Sequence, residues 1–172
     1  MEITDPDQPP NGAEVMRRLI ALQTSATDST LPRRLREAEV IETYDRCQGY
    51  AIMGMASLVA RRAKMAIHHA KAEKLPLDEL RRSLPSQTPV EVIEPVLNLC
   101  WIYNMAPEGT AECGNIINAL TTSGRGFNAF VALCHLANET ASMLVQFDPT
   151  LLTKVDLLRR EALEFEEGQD TV

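Results

Sequence analysis

At 172 residues, with 45% hydrophobic, 24% charged and only 5% aromatic side chains, the chain has the make-up of an ordinary globular domain. Its longest uncharged apolar stretch, residues 96–106, is about half of what a membrane span requires, which excludes a spanning helix. The net charge of −7 is unevenly spread: −3 over residues 1–32, +4 over residues 33–74 and −8 over residues 75–172.

The first eleven residues hold three prolines and three acids and predict a flexible arm. They lack the basic-then-apolar pattern of an export signal, so a cytoplasmic location is expected. Asn11 is placed to cap a helix from Gly12 to about Thr24, with Glu14 as its capping-box acid and Val15, Leu19 and Leu22 as its apolar stripe. Thr30 is expected to cap the next helix, in which Leu35, Ala38, Ile41 and Tyr44 recur at helical spacing. Cys47, Gln48 and Gly49 predict a break. Helix resumes from Tyr50 to about Lys74, on an aliphatic face rich in alanine.

Pro76 ends that helix, and residues 77–84 predict a short one with acids first and Arg81 and Arg82 last, as the helix dipole favours. Thr88, Pro89 and Glu91 form a second capping signature. The run that follows them is apolar almost all round, which predicts a central helix with Trp101 largely buried and a kink at Pro95. Helices are further expected over residues 110–121, 127–147 and 149–167. The expectation is an all-α, single-domain bundle or irregular helical fold of seven or eight helices over residues 12–167, with a tail at 168–172.

Four readings of chemistry need weighing. His69 with Glu73, and His135 with Glu139, stand four residues apart and share helix faces, as paired metal ligands would. Both pairs lie off the apolar arcs, so no metal or other cofactor is expected. The four cysteines, Cys47, Cys100, Cys113 and Cys134, form no CxxC pair and read as reduced core thiols. Cys134 and His135 are neighbours pointing about 100° apart, which is poor geometry for a nucleophile and its base. The Ser123–Gly124–Arg125–Gly126 segment before a helix is a weak anion-binding pattern without a phosphate-loop spacing.

The strongest surface signal is basic. Between Arg46 and Glu73 there is no acid, while Arg61, Lys64, His68 and Lys71 follow at three- and four-residue spacing, with Arg62 beside them. These five residues are the expected partner-binding set, unless the stripe pairs internally with the acidic C-terminal helix. The sequence thus points to a non-enzymatic interaction protein whose partner is an acidic protein or a second copy. A nucleic-acid-associated subunit and an enzyme with an unrecognised site stand as the alternatives.

Overall fold

The computed structural model of the protein describes residues 8–28, 30–71 and 75–170. Among them the chain forms eight helices and no strand, as the periodicity predicts: α1 (Gly12–Ala26), α2 (Arg33–Cys47), α3 (Gly49–Ala70), α4 (Leu77–Ser83), α5 (Val90–Met105), α6 (Ala111–Thr122), α7 (Gly126–Phe147) and α8 (Lys154–Asp170). The expected N-terminal arm lies largely outside the described residues. The expected tail is helix as far as Asp170, with the last two residues again outside.

The central helix is α3. Its inner faces carry Ala51, Ala56, Ala60, Ala63 and Ala66, all essentially inaccessible to solvent. Such small side chains let neighbouring backbones approach closely, and α3 packs most extensively on α7 and then on α5. Ile52, Met55 and Val59 of α3 join Leu99 and Cys100 of α5 and Phe130, Leu133 and Leu136 of α7 in one contiguous core. A smaller cluster of Ala66, Ala141, Leu144, Leu151 and Leu157 fills the space where α3, α7 and the start of α8 meet.

The central role expected of α5 is therefore a correction, and so is the burial of Trp101, which is 40% exposed. The buried face of α5 is the row Val92, Val96, Leu99 and Tyr103. Trp101 stands two residues beyond Leu99, about 200° round the helix, on the exposed side that also carries Glu94, Asn98 and Met105. Being apolar all round did not place α5 in the middle; the alanine content of α3 did.

Helix ends were partly legible. Asn11 caps α1 as expected, its Oδ1 accepting from the Glu14 backbone N–H at 2.8 Å. Glu14 does not complete a capping box; its carboxylate turns to Arg46 and Arg18, at 3.0 and 3.2 Å, and ties α1 to the end of α2. Thr30 does not cap α2, because it folds onto Asp28, and Pro32 occupies the cap position. Pro89 rather than Thr88 likewise precedes α5, and Arg125 precedes α7, each without a side-chain cap. The predicted break between α2 and α3 is present, with Gln48 at φ 46°.

Where α2 meets α7, the Tyr44 ring lies edge-on to Phe127 and stacked against Phe130, with centroids 5.6 and 5.9 Å away. Gly126, the first residue of α7, is buried directly beneath the Tyr44 hydroxyl, where an added Cβ would overlap the phenol oxygen. Any shift of Tyr44 to make room would disturb its contacts with both phenylalanines. Gly126→Ala is expected to cost about 1–3 kcal/mol, as overpacking does, even though alanine is the better helix former. Urea denaturation of the single variant measures it.

Candidate functional site

The basic stripe divides on the structure. Arg62 is a correction: it is a core residue, not a partner-binding one. A 100° step from Arg61 carries it into the core, where its side chain is fully buried. Its Nε and Nη2 donate to the two carboxylate oxygens of Glu161 at 2.9 and 2.6 Å. Its Nη1 donates to Gln23 Oε1 at 2.6 Å and to the Ala137 carbonyl at 2.9 Å. One guanidinium thus joins α3, α8, α1 and α7. Arg61 pairs with Glu164 and lies over the Phe165 ring, its guanidinium carbon 5.6 Å from the centroid. Lys64, His68 and Lys71 stay exposed and form no ion pair among the described residues.

His69 faces the α7–α8 corner, with Nε2 3.4 Å from Asp148 Oδ2, while Glu73 lies outside the described residues. Asp148 also accepts from the Thr150 hydroxyl at 2.6 Å, the Thr150 N–H at 2.9 Å and Arg160 Nη1 at 3.2 Å. The Thr150 hydroxyl is the main cause that holds this carboxyl below its usual range, against the opposing effect of burial. Glu14 is lowered in the same way, chiefly by Arg46. A depressed folded-state pKa adds stability that is present above the unfolded value, about 4, and is lost as pH falls through the folded value. Acid is therefore expected to destabilise the fold below about pH 4. Asp148→Asn should flatten that limb of a melting-temperature profile against pH.

Three of the thiols are held in the protonated form by their surroundings. Burial pushes Cys100 and Cys134 up to about 12 and raises Cys47 as well. At pH 8 Cys100, which is fully buried, is not expected to react with iodoacetamide until denaturant is added, as mass spectrometry of the alkylated peptides would show. Among the described residues no group of three or more His, Cys, Asp or Glu side chains is close enough to share a metal ion. His135 and Glu139 remain a single pair. Arg125, the cation of the glycine-flanked connector, is held by Glu91 at 3.0 Å, beside a shallow hollow of about 410 Å³ between α5 and α6.

A larger opening lies on the other side of α7, where sequence reasoning placed no site. It is a groove of about 1050 Å³ between α1, α2, α7 and the start of α8. Leu22 and Ala26 of α1, Val40 and Ile41 of α2, and Val155 and Leu158 of α8 supply apolar walls. Phe127, Val131, Cys134 and Ala141 of α7 supply the rest. Arg33, Arg36, Glu37, His135, Asn138 and Lys154 are its polar members. Gln23, which receives the buried Arg62, also faces the groove, so the Arg62–Glu161 pair backs its floor.

The groove follows from how α2 is held. This helix is poor in apolar residues and buries only Thr43 and Cys47, both near its C-terminal end. Tyr44 on α7 and Arg46 on Glu14 pin that same end. Further toward its N-terminus Leu35 and Ile41 are about half exposed while Val40 packs against the main core, and the groove opens between this part of α2 and α7 and α8. The first four residues of α2 include Arg33, Arg34 and Arg36, and the first turn carries no acid. Cations there oppose the helix dipole, whose positive end lies at the N-terminus.

Comparison with protein-family models, with curated proteins and with solved structures returns no match for this chain.

Proposed function

We propose that this protein works by binding rather than by catalysis, as a non-enzymatic interaction protein, and that the groove between α1, α2, α7 and α8 is the seat of binding. The observation that carries the reading is the groove's make-up: a concave opening of about 1050 Å³ with mostly apolar walls and a few charged groups. Ligand sites have this character, with apolar walls that supply affinity and sparse polar groups that orient. Cys100 and Cys134, their thiols pushed up by burial, lend no support to catalysis. The basic ladder makes a weaker partner surface than its spacing promised, because Arg61 and Arg62 are already committed to α8.

The test is titration with an uncharged environment-sensitive fluorophore, N-phenyl-1-naphthylamine. Saturable one-to-one binding is expected. Val131→Trp and Val40→Trp fill the groove from opposite walls, and each should weaken binding at least about tenfold without lowering the melting temperature. Binding unchanged in both folded variants would remove the groove from the account.

A further inference from the structure

Resting on that reading of the groove, we infer that its ligand is a single-chain amphiphile with an anionic oxyacid head, seated against Arg36. The apolar walls accept an aliphatic chain, and the polar members carry an excess of positive charge. Arg33, Arg36 and Lys154 are set against the one carboxylate of Glu37, in a protein whose net charge is −7. That excess is local and runs against the charge of the whole molecule.

The cations are not equally committed. Arg33 is bonded to Glu37 at 2.9 Å, and Lys154 Nζ to Asn138 Oδ1 at 2.8 Å. Arg36 has neither kind of partner. Its Nε is the sole buried side-chain nitrogen or oxygen without a hydrogen bond among the described residues. Asp28 feels the charge of Arg36, but its carboxylate is occupied by the Thr30 hydroxyl and N–H. A buried donor left unpaired costs free energy that a ligand acceptor would recover. The planar guanidinium presents parallel N–H groups that match a carboxylate or a phosphate, not a lone hydroxyl.

The N-terminal end of α2 adds to the same field. Three arginines on an uncapped, acid-free first turn repel the dipole of their own helix, and an anion there relieves that repulsion.

The experiment is displacement of the bound neutral fluorophore by dodecanoate, dodecyl phosphate and dodecanol, in the full chain and in two variants. In wild type, at least one of the two anions should displace it at concentrations about tenfold or more below dodecanol, and the stronger identifies the head group. Arg36→Met should stay folded by its melting temperature and, with its own fluorophore affinity measured and used as the reference, lose the preference for anion over alcohol. Lys71→Met, just past the C-terminal end of α3 and outside the groove lining, should keep it. Equal displacement by acid and alcohol, or a preference that survives Arg36→Met, would overturn the head-group assignment and leave the groove standing. Failure of the wild type to bind the fluorophore at all would overturn both.

Discussion

Glu161→Ala is expected to destabilise the protein by about 3–5 kcal/mol, because it strands a charge in the core. Arg62 is fully buried and Glu161 nearly so, and the carboxylate takes two of the guanidinium's hydrogen bonds. Removing it leaves Arg62 with Gln23 and one carbonyl, neither of which neutralises the charge. For a domain of this length the loss corresponds to a fall of roughly 6–20 °C in melting temperature. Arg62→Met combined with Glu161→Leu removes both charges and fills similar volume, and should recover most of the loss. Arg61→Ala, one residue away, breaks a half-exposed pair and should cost under about 1 kcal/mol. A large cost at 61 and a small one at 62 would reverse the assignment of core and surface on α3.

Phe130→Ala should be comparably severe, at about 3–5 kcal/mol, measured by urea denaturation. Phe130 is fully buried in the main core and stacks on Tyr44. The truncation opens a cavity and also removes one of the two aromatic contacts that pin the C-terminal end of α2 to α7. Because α2 forms one wall of the groove, fluorophore affinity should fall with stability. Ile93→Ala, on the half-buried flank of α5, should cost less than either Phe130→Ala or Leu97→Ala, since Leu97 is buried.

The helices were legible because apolar residues recur at helical spacing and proline and glycine mark most of the ends. Trp101 shows the limit of that logic. Periodicity describes one helix, whereas burial depends on which neighbours cover it, and α5 is left open on the Trp101 side. Arg62 shows a second limit. Read as part of a basic run it looks like surface, and its partner Glu161 lies 99 positions away. The groove was the least legible feature, because its walls come from four helices spread between Leu22 and Leu158. Two traces of it were present. On α7 the apolar arc holding Phe127, Val131 and Cys134 is too wide for one neighbour, since Ala129, Leu133 and Leu136 are buried on another side. On α2, arginines stand where the helix dipole favours acids.

The most direct test of the account is amide NMR of the isotope-labelled full chain titrated with whichever of dodecanoate and dodecyl phosphate displaces the fluorophore more strongly. The groove reading predicts saturable shifts at Ala26, Arg36, Val40, Val131, His135 and Val155, with Lys64, His68 and Trp101 unmoved. No saturable shift, or shifts centred on the outer face of α3 or on Trp101, would contradict it.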